Sequence, residues 1–183
     1  DQATYILVAR NKRGCPNSNV VDVTGRERDA IQLVFAPPTR LAVSADGSTL
    51  VAANFVHAVG EFEESGSVFI HRKRHGEWQL ENVLTAAIPD TQTHFGREIA
   101  LSADGRTLAI GAHTEPLDVP CPRAGAVFVY RRSSTGWAQH SKLTIAPRED
   151  AFGFGLKLDI SAPGDVLAIG SPYDAASVNG TSV

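Results

Sequence analysis

The chain has no methionine, only two cysteines among its 183 residues, and 7% aromatic side chains. No apolar run reaches the roughly 18 residues that a membrane-spanning helix needs. No basic segment followed by an apolar one opens the chain, so nothing reads as a leader. With no Met anywhere, Asp1 is expected to follow processing or to open a fragment. Apolar side chains at helical spacing are missing from every stretch of ten residues or more, which argues against helices. Charge is even: 17 Lys and Arg against 20 Asp and Glu give a net −3, too balanced to imply nucleic acid. Each of the two cysteines could still pair with sequence outside this chain. Cys15 and Cys121 fall in loops expected at opposite ends of their sheets, so the short Cα separation of a disulfide is not expected between them, and the redox compartment stays open. Also absent are a Gly-x-Ser-x-Gly elbow, a phosphate-binding loop and a Cys-His nucleophile pattern. The six histidines, at 57, 71, 75, 94, 113 and 140, lack zinc spacing.

A motif stated three times is present instead. Leu41 to Asn54 (LAVSADGSTLVAAN) returns at Ile99 to Ala112 (IALSADGRTLAIGA) and at Leu158 to Ser171 (LDISAPGDVLAIGS), at offsets of 58 and 59 residues. Gly66-Ser67-Val68-Phe69 returns as Gly125-Ala126-Val127-Phe128, Trp78 as Trp137, and Phe95-Gly96 as Phe154-Gly155. A period of that length marks an array of supersecondary units. Within one unit, Ile99, Leu101, Leu108 and Ile110 alternate with small or polar residues at period two, and Val127 to Tyr130 is a β-branched and aromatic run. Ala-Asp-Gly at 45–47 and 103–105 is a hairpin signal. Four strand-like runs per unit predict an all-β chain.

Four antiparallel strands repeated with variable loops predict a β-propeller blade. About three blades are expected in a single region, 1–183, with units near 1–36 (partial), 37–94, 95–153 and 154–183 (partial). Ala3 to Arg10 aligns on the third-strand segment and Asn19 to Thr24 on an outer strand, although Pro37-Pro38 stands where later units have Phe-Gly. Three blades are fewer than the usual four to eight. The ring is therefore expected to be completed by further chain or by another copy.

The ordered set of Phe-Gly, Ala-Asp-Gly and Gly-x-Val-Phe resembles the FG-GAP repeat of integrin-like propellers, over about Leu41 to Val183. That resemblance implies a non-enzymatic extracellular or secreted binding module, at a cell surface or in the periplasm, presenting inter-strand loops to a protein or glycan. The alternatives are a propeller hydrolase, the non-catalytic propeller of a secreted enzyme, or a self-assembling structural propeller. The resemblance also raises calcium, but one carboxylate per turn (Asp46, Asp104, Asp165) falls short of the six to eight oxygens calcium takes, so no cofactor or metal is expected. These aspartates read as turn or strand-start residues.

Binding residues gather on loops held by a rigid scaffold. The loops between second and third strands, 55–65, 113–124 and 173–179, supply the candidates: His57, Glu61, Glu63, His113, Glu115, Asp118, Tyr173 and Asp174. No catalytic residue is assigned. Trp78 and Trp137 recur in register, which favours packing between blades over sugar stacking. Arg72 to Arg74 and Arg131-Arg132 read as solvated turns that could add to an anionic-ligand surface. Glu64, Asp90, Glu149 and Asp150 read as solvated surface, and Asn179-Gly180-Thr181 as a chance match to a glycosylation acceptor.

Overall fold

The computed structural model describes residues 39–87, 90–116, 123–145 and 152–173, with the backbone of 177–178 and 181–182. All of them belong to one compact unit, Thr39–Val183. The partial first unit, both cysteines and the segments Ala3 to Arg10 and Asn19 to Thr24 lie outside the described residues.

Among the described residues every regular element is a strand. The first sheet is β1 (Arg40–Val43), β2 (Thr49–Asn54), β3 (Ser67–Arg74) and β4 (Glu77–Leu84), antiparallel in that order. The second, β5 (Glu98–Leu101), β6 (Thr107–Ala112), β7 (Ala126–Ser133) and β8 (Gly136–Thr144), repeats it. The register irregularity falls at equivalent places, Ile70/His71 and Val129/Tyr130. A third unit contributes β9 (Lys157–Ile160) paired with β10 (Leu167–Gly170), and a short pair follows, β11 (Ser177–Val178) with β12 (Thr181–Ser182).

The second sheet is buried on both faces, and size decides which neighbour each face meets. Ile99, Leu108, Ile110, Phe128 and Tyr130 pack with Val51, Ala53, Val68 and Ile70 of the first sheet. On the other face Ala100, Ala109 and Val127 receive Leu158, Ile160, Leu167 and Ile169. Period-two alternation here is therefore large against small rather than apolar against polar, and bulky side chains of one sheet fill the shallow face of the last. Trp137 joins the first of these cores, with 9% of its surface exposed.

Two features hold the sheets in sequence. At the β1–β2 end, consecutive turns bond to each other: Ala45 N–H donates to Ala103 O (2.8 Å) and Ala103 N–H to Ala162 O (3.0 Å). At the opposite end, Phe95 N–H donates to Ser65 O (2.9 Å) and Phe154 N–H to Ala124 O (3.1 Å). Phe95 is fully buried, with its ring edge-on to Phe128 (5.3 Å between centroids). Its backbone presses on Gly66, where an added Cβ would collide with the Phe95 carbonyl and sit 2.7 Å from its nitrogen. Phe-Gly in one unit and Gly-x-Val-Phe in the last are thus two sides of one seam.

Charges at equivalent positions follow the same logic. Arg40, Glu98 and Lys157 open successive inner strands, and Glu98 accepts Arg40 (3.4 Å) and lies 3.7 Å from Lys157. Glu81 on β4 takes Arg132 of the next sheet through two nitrogens (3.2 and 2.9 Å), Trp137 Nε1–H (3.3 Å) and Arg74 (3.3 Å). Burial works against its ionisation, yet Arg132 and Trp137 hold the Glu81 carboxyl below its ordinary range. Arg132 is engaged here in joining sheets, and Arg74 bonds Glu81 within its own sheet.

Candidate functional site

The turn end of the sheets has its carboxylates committed. Ser44 Oγ–H donates to Asp46 (2.6 Å), which also accepts Ser48 N–H (2.9 Å) and Oγ–H (2.7 Å). These bonds hold the Asp46 pKa down at about 2. Asp104 repeats the arrangement with Ser102. In the third unit the carboxylate has moved two positions along, to Asp165, and still accepts Ser161 Oγ–H at 2.6 Å. Asp165 is therefore a turn clasp and not a strand-start residue, because the serine demands an acceptor whichever side supplies it. Among the described residues no group of three His, Cys, Asp or Glu side chains could hold a metal ion.

The loop end is different. Between the first two sheets the β2–β3 connection, the β4–β5 connection and the start of the β6–β7 connection converge on Phe55, Glu64, His94, Arg97, His113 and Thr114. His94 sits at the centre. Its Nδ1 meets Thr114 Oγ1 at 2.9 Å and its Nε2 meets Glu64 Oε2 at 3.2 Å. The Thr114 hydroxyl donates to Gln92 O (2.5 Å), so it accepts from the ring. The His94 ring stacks on His113 (5.1 Å, 16° between planes) and meets Phe55 edge-on (5.6 Å). The Arg97 guanidinium lies 4.5 Å over Phe55. His113 continues to Phe152 (6.3 Å), which tilts against Tyr173 (5.8 Å), so one row of rings crosses three units.

Backbone strain gathers at this cluster. Among the described residues, three of the four non-glycine residues with positive φ are Glu64 (52°), Gln92 (63°) and His94 (55°). His94 N–H donates to Glu64 O (3.1 Å) and Gln92 N–H to Glu63 O (2.8 Å) across the two loops. In the third unit the position of His94 is Gly153, with φ 86°. A left-handed site that glycine fills freely is filled here by histidine, at a cost of about 1–2 kcal/mol.

Burial, reinforced by His94 and Arg97, lowers the His113 pKa to about 4, so its imidazole is neutral near pH 7. Its Nδ1 is buried with no partner, which leaves Nε2 as the nitrogen able to meet a solvent-borne group. Two residues on, buried Glu115 receives Lys142 (2.8 Å) while its second oxygen is unpartnered, and burial raises its pKa despite the lysine.

Of the residues expected from the sequence, the structure brings His113 into the cluster and places Glu115 and Tyr173 beside it in chain and ring row. His57 instead turns inward, bonding Ser67 Oγ (2.9 Å) against Phe69. Glu61 and Glu63 are exposed. Asp118 and Asp174 lie outside the described residues. Sequence reasoning missed Phe55, His94, Arg97 and Thr114, and it put Glu64 on the solvated surface. The available signal was a departure from the repeat: Arg97 stands where the other units have Thr39 and Leu156, and His113 where they have Phe55 and Pro172.

No family model matches this chain, and no curated protein does. A solved structure similar to it is a Bacteroides fragilis protein described as a "putative 6-phosphogluconolactonase". The two are 18% identical with a TM-score of 0.48, over 72% of this chain and 31% of that one. This chain thus spans about a third of that protein's length. The FG-GAP, integrin-like and extracellular expectation is corrected by these findings, and with it the non-enzymatic binding module. The similar structure bears an enzyme's name, and the described sheets hold four, four and two strands with two further short ones paired apart. The physical reason is the seam: the Phe-Gly and Gly-x-Val-Phe residues that suggested the family are used in stacking sheets and present nothing to a ligand.

Proposed function

We propose that the stacked sheets are blades of a β-propeller and that its loop end carries a hydrolytic site at the first blade junction. The observation that carries this reading is His94 in a backbone conformation for which the third unit uses glycine, Gly153. Strain kept for the sake of one side chain points to a role beyond packing. With both ring nitrogens engaged, His94 is a positioning residue that holds the neutral His113 ring by stacking.

His113 Nε2 then takes a proton from water as the water oxygen forms a bond to an ester or lactone carbonyl carbon. Collapse of the tetrahedral adduct breaks the bond to the alkoxy oxygen, which recovers the proton from the imidazolium. The products are a carboxylic acid and an alcohol. General-base assistance of this kind is worth about 10²- to 10⁴-fold.

The test is turnover of a panel of esters and lactones. His113→Gln should lose on the order of 100-fold or more of the catalysed rate. His94→Gly should also lose rate while retaining its melting temperature, because the backbone is relieved. Absence of turnover above buffer, or an unaffected His113→Gln variant, would overturn the reading.

A further inference from the structure

The half-buried arginines of the described residues divide sharply by partner. Half-buried Arg40 bonds Glu98 and Thr39 O, Arg72 bonds Thr49 Oγ1, Arg123 bonds the carbonyls of Thr91 and Gln92, and Arg132 bonds Glu81. Arg97 is also half-buried, yet among the described residues its guanidinium has no hydrogen-bond acceptor. Its ring contact with Phe55 uses the flat face of the group and leaves the N–H edge unspent. The buried unpartnered side-chain atoms among the described residues do not include the Arg97 nitrogens, so this N–H edge is open to solvent and to a solute, with up to five donors to offer. The backbone holds it in place, since Arg97 N–H donates to His94 O (3.0 Å) and Gly111 O (3.2 Å).

Position supports the same conclusion. Arg97 stands where the other units have Thr39 and Leu156. It occurs only at the junction where His94 and His113 also break the repeat. Glu64, the carboxylate of the cluster, is directed to His94.

We propose that Arg97 binds the anionic group, a carboxylate or a phosphate, of the molecule hydrolysed beside His113. This rests on the hydrolase reading for its context, although the anion site itself can be measured without turnover. A planar guanidinium edge matches two oxygens of either anion at once.

The experiment has two arms on the full chain. In the first, matched esters that differ only in bearing a carboxylate, a phosphate or an uncharged amide are compared by kcat/KM. Arg97→Gln should lower the charged members at least 10-fold more than the amide, mostly through KM, and Arg97→Lys should recover part of the loss. Whichever charged ester loses more identifies the anion. In the second arm, acetate and inorganic phosphate are titrated while the ring resonances of His94 and His113 are followed by NMR. Saturable shifts abolished by Arg97→Gln support the anion site even where no ester is turned over, an outcome that would remove the hydrolase reading alone. Equal losses for charged and neutral esters, or shifts that persist in Arg97→Gln, would overturn the proposal and leave the hydrolase reading standing.

Discussion

Replacing Gly66 with alanine should open the seam between the first two sheets, and Gly47→Ala supplies the control. Both glycines have positive φ, 90° and 65°. Around Gly47 an added Cβ meets nothing within 4 Å, so its cost is the backbone term alone, about 1 kcal/mol. At Gly66 the same methyl meets the Phe95 carbonyl and nitrogen, which are main chain and cannot swing aside. The seam must part. The bond from Phe95 N–H to Ser65 O is lost with it, about 1 kcal/mol, and so is much of the burial of the Phe95 ring, about 1.5–3 kcal/mol. Together with the backbone term this makes about 3.5–5 kcal/mol, a large share of the roughly 5–15 kcal/mol of an ordinary domain. Urea unfolding followed by tryptophan fluorescence, from Trp78 and Trp137, measures both variants against the parent. If Gly66→Ala costs no more than about 1 kcal/mol beyond Gly47→Ala, the seam argument is wrong.

Three further outcomes follow from particular contacts. Glu81→Gln weakens two bonds to Arg132 and leaves a half-buried guanidinium without its counter-charge, so unfolding free energy should fall by about 1.5–3 kcal/mol in a denaturant titration. Ser102→Ala removes the hydroxyl that donates to Asp104 and accepts Thr107 N–H (2.9 Å); an NMR titration should show the Asp104 pKa returning upward toward the ordinary carboxylate range. His113 has a folded pKa near 4 against an ordinary 6.5. Its contribution to stability is therefore complete above about 6.5 and is lost as pH falls toward 4, on the order of 1–2 kcal/mol after solvent screening. His113→Phe, which installs the residue of the first unit, should flatten that part of the stability–pH curve, and any ester hydrolysis by the parent should inflect near pH 4 rather than 6.5.

The strands were legible because each unit restates them: alternation in Ile99 to Leu101 and Leu108 to Ile110, with Ala-Asp-Gly between, has a local cause and a local result. The pairing of Phe95 with Gly66 was visible only as co-occurrence, since its cause is contact between main chains of neighbouring sheets. Of the two tryptophans in register, Trp137 joins a core between sheets, whereas Trp78 is half-buried and joins neither core among the described residues. The loop-end cluster was mostly hidden. His94 reaches Glu64 and Thr114 across 30 and 20 residues of chain, and which loops meet depends on how sheets stack. Searching for what recurs also favours scaffold over site, because Arg97, His94 and His113 are conspicuous only as failures of the repeat. His57 and Glu115 illustrate the converse: they occupy equivalent positions, each carbonyl receiving the glycine that opens the third strand, yet one side chain seeks a serine and the other a lysine.

The bonded chain of turns from Ala45 to Ala103 to Ala162 bears on how such a protein can change over time. A residue inserted into any one of these turns would displace its donor and its acceptor together, and so disturb neighbours on both sides. Length can drift freely only at the other end. The one-residue difference between the offsets 58 and 59 obeys this: it enters after Ala112 and before Arg123, in the β6–β7 connection, while the turns match residue for residue. Duplication and divergence of these units would therefore leave one rim of the molecule almost invariant and concentrate novelty, including the residues around His94, on the other.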